Sequence, residues 1–495
     1  MRPGRFFIPR VEYILFAAIF WGIAAGGPRL LNFDGDLPRH ILTGDLILQT
    51  GEVSTTDLFS YRTVGYPSTP HEWLAQVFFA LAHRWLGLSG IVLLTALIIM
   101  LTWSTVYSQT IRRSNSFLLS LLLVGLGVAA SQIHILPRPH IFTYLLTTIW
   151  IWLLEEIAGS RPRAWLLLPL VMLLWVNMHG MFVIGLIILG IYLAGDFLDQ
   201  APKEWFGSGR TRAMLAGGAL SLAATFISPS GPQIWVAIAA LGRSTYIRSR
   251  IPEYQSANFH MLETWPFMLI LLFVIVGFAR TTERVSWRQI LLITAFTGLA
   301  LYAGRMIPLF AIVITPIAAQ ALAGWIKNQH PESRWLVIEK NIHKISSASR
   351  GLVWIPVVIL AAAMLFGAGK TIDAGNRGNT FDEPFFPVRA VTWLRDHPQE
   401  GRMFNEFDWG GYLLLNLWPE QQVFMDGHTH IYGRKLTREY EKVVTLSAGW
   451  EEILAKYDVS WVIVRGSTPL ASALSASGNW ETAYRDQTAV ILIRR

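Results

Sequence analysis

The chain has 495 residues, 53% of them hydrophobic and only 15% charged, where a soluble domain carries ~25% charged residues. It contains no cysteine, which excludes disulfides, thiolate nucleophiles and cysteine-ligated metals. The net charge is +8, and with no interleaving of aromatic and basic residues this excess reads as membrane topology, not as nucleic-acid binding.

In chain order, apolar stretches approaching the ~20 residues of a bilayer span predict about 11 transmembrane helices, at 11–31, 89–111, 117–136, 140–157, 164–180, 181–198, 213–229, 264–279, 288–304, 306–325 and 351–369. Bases gather at every second connection, among them Arg112 and Arg113, Arg161 and Arg163, Arg210 and Arg212, and Arg280, Arg284 and Arg288. The positive-inside rule places these loops and the N-terminus in the cytoplasm, and the remaining loops and everything after residue 370 outside. The segment "EWLAQVFFALAHRWLGLSG", 72–90, is read as an amphipathic helix at the outer interface, because counting it as a span would invert every later loop. The first apolar run is read as a retained helix rather than a cleaved signal peptide. Segment 326–350 is a polar cytoplasmic loop, and a Gly/Asn/Pro linker follows the last span.

The predicted fold class is thus a polytopic α-helical membrane protein, residues 1–369 with an outer loop 32–88, followed by a C-terminal soluble α/β domain, residues 370–495. In that domain "PVRAVTWLRDH" and "WEEILAKYD" have helical spacing, while "QQVFMDGHTHIYG", "VSWVIVRG" and "TAVILIRR" read as strands. The alternation predicts a mixed or parallel sheet with covering helices.

The first outer loop, 32–72, holds six acids and two Lys/Arg. Asp34 and Asp36 stand where the first span surfaces, and ionisable groups near membrane depth point to function. Either carboxylate is suited to act as general base on a hydroxyl, or the two together to hold a divalent cation. A structural reading stands beside this: Asp36 as helix N-cap with Pro38 in the first turn. Glu72 opens the interfacial helix as a further acid at the same face, or complements its dipole. In "LPRPH" two prolines hold Arg138 and His140 at the outer surface, where an arginine fork suits phosphate. "AGRMIPLF" brings Arg305 there and "WVNMHG" brings Asn177 and His179; each arginine could equally snorkel to headgroups. The long loop 230–263 carries Arg248, Arg250, Glu253, Gln255 and His260, and loops of that length are often functional. Asp426, His428 and His430 in "MDGHTH" are zinc ligands by residue type but are read as a surface turn. Acids and arginines together at a lipid boundary suit chemistry on an anionic lipid headgroup.

These stretches, with "DGDLPRHILTGDLILQTGEVSTTDLFSY", "HEWLAQ", "RPHIF", "NMHGMF", "FDWGGYL" and "VFMDGHTHIYG", resemble a bacterial subgroup of the GT-C superfamily of membrane glycosyltransferases. Protein O-mannosyltransferases, the lipid A aminoarabinose transferase and oligosaccharyltransferases belong to that superfamily. The resemblance covers nearly the whole chain and is most specific at the first loop and at "FDWGGYL…MDG". It implies an enzyme of the bacterial inner membrane that transfers a sugar from a polyprenyl-phosphate donor to a lipid, glycan or protein acceptor on the outer face. Asp34 or Asp36 would match the family's catalytic acid and Glu72 its second acid. Arg138, His140, Arg305, His71 and Arg248 would bind substrate, and His428 stands where relatives are expected to carry the arginine of Asp-Gly-Arg. Some relatives use a divalent metal ion, which here would fall to Asp34 and Asp36. Two rival readings remain. A transporter or flippase of a lipid-linked substrate would be expected to carry midplane charges or internal repeats, and the sequence shows few and none; the other rival is a non-catalytic envelope assembly protein.

Overall fold

The computed structural model describes residues 10–495 except 160, 244–245, 247–248, 282–283, 330–333, 335–336, 340, 343–353, 355–356, 361 and 363–378. Helices occupy ten of the predicted span positions, and six are apolar and long enough to cross a membrane: Trp73–Ser114, Phe117–His134, His140–Ala158, Gly180–Asp199, Leu262–Arg280 and Gly304–Asn328. Val11–Ala25, Leu168–Met178, Gly209–Ala224 and Trp287–Tyr302 are shorter helices at the other four positions. The predicted loop 326–350 and span 351–369 lie largely outside the described residues.

The last long helix, Ile307–Gln329, is apolar all round, as a helix enclosed by others must be. It packs against Trp73–Ser114, Phe117–Ser131, Trp265–Arg280 and Trp287–Tyr302. Trp103, Trp150 and Trp175 fill the bundle. Gly127 allows the Trp103 ring to approach, since a Cβ there would meet it at 2.4 Å. At one end of the bundle the basic loops meet acids. Glu155 accepts from the Tyr192 hydroxyl at 2.6 Å and pairs with Arg113 at 2.9 Å and Arg288 at 3.5 Å, while Asp196 pairs with Arg210 at 3.2 Å. Arg138 precedes the helix whose far end carries Glu155, so it belongs to the opposite end.

The expected interfacial helix is the first part of Trp73–Ser114. Leu86 and Gly87 leave helical geometry, Gly87 with φ 59°. In a straight helix residues 82 and 90 would stand ~12 Å apart along the axis, yet a Cβ on Gly90 would lie 2.0 Å from the Ala82 carbonyl oxygen. The axis therefore turns sharply at Gly87, and the run divides into two helices at the position the sequence suggests.

The C-terminal part carries a four-stranded mixed sheet in the order β1-β2-β4-β3, formed by β1 (Arg402–Asn405), β2 (Val459–Arg465), β3 (Trp480–Arg485) and β4 (Ala489–Arg494). β1 and β2 are parallel; β2–β4 and β4–β3 are antiparallel. The predicted strand in "QQVFMDGHTHIYG" is absent. Val423 makes one parallel bridge to Ser60, and Thr429–Val444 is a helix. Val423, Phe424 and Met425 are buried by packing rather than by sheet pairing, and an apolar run cannot distinguish the two.

The first loop is not a separate layer. Its helix Leu37–Thr50 ends at Gly51, left-handed at φ 73°, as a helix C-terminus commonly does. Leu42 and Phe59 share one hydrophobic core with Phe386, Trp409, Tyr412, Val423 and Trp461. The tail thus sits on the acid-bearing loop as one packed unit.

Candidate active site

Asp36 occupies the N-cap position of Leu37–Thr50 with Pro38 in the first turn, but its side chain makes no capping bond. It turns to Arg138, whose Nη1 lies 3.0 Å from Asp36 Oδ2 while its Nε donates to Asp34 Oδ1 at 2.8 Å. Asp34 Oδ1 also accepts the Asp36 backbone N–H at 2.9 Å. Asp34 is 0% exposed, whereas the Asp36 side chain is 27% exposed. Burial raises the Asp34 pKa to about 6 against the pull of Arg138, and its Oδ2 has no hydrogen-bond partner. An ionised, half-partnered carboxylate in a dry site is costly, and taking up a proton relieves the cost.

The other predicted arginine belongs to the same network. Arg305 Nη1 pairs with Glu253 Oε1 at 3.1 Å, and Glu253 Oε2 lies 3.9 Å from Arg138 Nη1 and 3.7 Å from His134 Nδ1. Arg305 also lies over the Tyr254 ring at 4.5 Å. Glu253 therefore stands between the two guanidinium groups that the sequence assigns to phosphate. The loop carrying it could be read as polar, but no local signal singled out this acid.

His140 is buried, stacked on His134 at 4.3 Å, with its Nε2 2.9 Å from the His134 carbonyl oxygen. These contacts tie it to the turn that carries Arg138. Arg248 lies outside the described residues.

Glu72 opens its helix without a side-chain cap. It faces His71 Nε2 at 3.7 Å and His179 Nε2 at 3.8 Å. Burial favours its neutral form, but His71, His40 and His179 together hold its pKa below the ordinary carboxylate value. His71 and Glu72 line a cavity of about 460 Å³ with Arg39, Gln76, Trp418 and His428, a run of Ser and Thr hydroxyls completing its wall. His40 lies in the field of both Glu72 and Asp36 and meets Gln76 Nε2 at 3.2 Å.

The tail completes the site. Arg39, one turn beyond Asp36, is buried and pairs through Nε with Asp426 Oδ2 at 3.0 Å. Its Nη2 donates to His428 Nδ1 at 2.7 Å, which makes that nitrogen an acceptor and the ring neutral. Within "MDGHTH", read from sequence as a surface turn, Asp426 is thus buried and His428 lines the cavity beside Glu72, while His430 is exposed. Gly427 lies against Asp36: a Cβ there would fall 1.5 Å from Oδ1. A Cβ on Gly410 of "FDWGGYL" would lie 2.5 Å from the Met425 carbonyl oxygen, and one on Gly411 2.6 Å from that of Gly35. Gly411 and Gly427 let the tail backbone touch the acid-bearing turn, and Gly410 brings the two quoted motifs together.

Asp34 and Asp36 do not offer themselves as a cation site, because Arg138 already bridges them and a divalent ion there would meet a like charge. Among the described residues no group of three or more His, Asp or Glu is arranged to hold a metal.

No family model matches the sequence, and no curated protein matches it. Solved structures do. The apo oligosaccharyltransferase of Archaeoglobus fulgidus matches with a TM-score of 0.58 at 12% identity, over 92% of this chain and 69% of that one. The same protein in complex with zinc and sulfate matches at 0.55, again at 12% identity, over 92% and 68%. ArnT from Cupriavidus metallidurans bound to undecaprenyl phosphate matches at 0.53 and 12% identity, over 97% of both chains. The chain shares the fold of these solved structures.

Proposed function

We propose that this protein is a glycosyltransferase of the bacterial inner membrane that takes a sugar from a polyprenyl-phosphate donor on the outer face and passes it to a hydroxyl acceptor. The observation that carries the reading is the clamp of Arg138 on both first-loop acids, with Arg305 one carboxylate away and a hydroxyl-lined cavity beside Glu72. The likeness to an undecaprenyl-phosphate-bound enzyme adds support for the donor class.

In the proposed reaction the acceptor hydroxyl sits in the cavity, oriented by Glu72. Its oxygen attacks the anomeric carbon from the side opposite the phosphate, giving inversion. The bond from that carbon to the phosphate oxygen breaks and its electron pair stays on the phosphate. The hydroxyl proton passes to Asp36, the acid whose carboxylate is open to its surroundings. Asp34 is wholly buried and acts as a positioning residue, fixing Arg138. Arg138 and Arg305 meet the charge that grows on the leaving phosphate, where fixed donors are most effective. In the free protein Glu253 lies between those arginines, so the phosphate must displace it.

The test is turnover of a polyprenyl-phosphate-linked sugar by the full chain in nanodiscs. Asp36→Asn is expected to lose ~10²–10⁴-fold in rate, and Glu72→Gln to weaken acceptor use, with both variants melting close to wild type. Unchanged turnover in both would remove the roles given to Asp36 and Glu72, and no turnover by the wild type would remove the enzyme reading; vesicle flux of the same lipid without sugar transfer would establish a transporter instead.

A further inference from the structure

A second cavity, of about 750 Å³, opens on the C-terminal part between the helices Thr429–Val444 and Trp450–Lys456. Five of its lining residues are basic, among them Arg434, Lys435, Arg438 and Lys442, and only Glu439 and Glu452 are acidic. Glu439 is already engaged by Arg62 at 3.1 Å, Lys456 at 2.6 Å and the Tyr457 hydroxyl at 2.5 Å. Arg434, Arg438 and Lys442 recur every four residues and share one helix face. None of Arg434, Lys435 and Lys442 has an ion pair among the described residues, and all three are exposed. Two of the cations are also held in place: the Tyr246 ring, from the 230–263 loop, lies 5.5 Å from the Arg434 guanidinium and 5.3 Å from that of Arg438. Glu441, on the same helix but outside the cavity lining, accepts from the Tyr246 hydroxyl at 2.7 Å and pairs with Arg250.

We propose that this basic cavity is a binding site for phosphate-bearing groups, distinct from the acid pair. Like charges crowded within a Debye length repel one another unless an anion joins them, and arginine forks beside lysines match phosphate oxygens in geometry and charge. The same helix begins at His428, in the wall of the acid-pair site. Gly433, at φ 58°, breaks that helix one residue before Arg434, so the basic face belongs to the second of two segments. The site stands whether or not the acid pair transfers a sugar.

The shared chemistry has two sources, a soluble phosphate ester or the headgroup of an anionic lipid, and the experiment separates them. Full-length protein in phosphatidylcholine nanodiscs is titrated with inorganic tripolyphosphate by calorimetry. In a parallel arm, lipid retained from phosphatidylglycerol-containing nanodiscs is measured by native mass spectrometry. Saturable tripolyphosphate binding that weakens at least tenfold in Arg434→Gln/Lys442→Gln, and returns in Arg434→Lys/Lys442→Arg, supports the site for soluble phosphate. Retained phosphatidylglycerol lost in the same neutral variant supports it for a lipid headgroup. If both measurements are the same in wild type and neutral variant, there is no such site.

Discussion

Asparagine at position 34 keeps the shape of the buried aspartate and can still accept from Arg138, but it cannot carry charge. Burial puts the Asp34 pKa at about 6, above its value in an unfolded chain. Its contribution to stability is therefore complete below pH ~4 and lost as pH rises through about 6, a change of ~3 kcal/mol. The difference in stability between wild type and Asp34→Asn, measured by denaturation at pH 4 and pH 7.5, is expected to move by that amount in favour of the variant at the higher pH. A difference that does not move with pH would contradict the burial argument. Glu253 offers a second test at this scale. It competes with phosphate for Arg138 and Arg305, so Glu253→Gln is expected to tighten binding of undecaprenyl phosphate about tenfold, ~1.4 kcal/mol. Weaker binding in a calorimetric titration would mean that Glu253 serves the ligand rather than excludes it. The acid pair and Arg138 could be read from sequence because prolines and a helix start mark them. Glu253 stands out in the sequence only as one of several polar residues of a long loop, and Arg39 not at all, since what they do depends on partners far along the chain.

Among the elements, the tight glycine contacts decide how the tail meets the first loop. At Gly427 an added methyl would fall on the Asp36 carboxylate, so Gly427→Ala must push that side chain or the turn aside. Turnover is expected to fall at least tenfold, since misplacement by ~1 Å costs up to 10²-fold, while the melting of the membrane helices stays near wild type. Wild-type activity in this variant would show that the contact has no bearing on the acid's position. The helices were legible in the sequence because long apolar runs leave few alternatives, and the break at Gly87 because charge topology required two segments there. The strand predicted over Val423–Met425 was not realised: those side chains are buried against Asn405, Tyr440 and the first loop, and periodicity records burial, not pairing. Two real strands escaped notice for opposite reasons. β1 spans only four residues, and β3 is an edge strand with charged residues, no fully buried position and no alternation of burial.

For the whole molecule, the division at residue 370 describes the sequence better than the packing. Leu42 and Phe59 of the first loop lie in the core of the C-terminal sheet, and the buried Arg39–Asp426 pair crosses between them. Composition showed two kinds of chain, but not that the second would close over the acids of the first, because that closure rests on glycine contacts and on pairs nearly four hundred residues apart. The central claim is that Arg138, Arg305 and the first-loop acids surround a single lipid-linked sugar phosphate. The most direct measurement is photocrosslinking of a diazirine polyprenyl-phosphate analogue to the full chain in nanodiscs, with the labelled peptides mapped by mass spectrometry. Labels placed near the phosphate are expected on the 134–140 turn and the Glu253 loop, and to be competed away by unlabelled lipid. Labelling confined to other faces, or none that the lipid competes, would contradict the account.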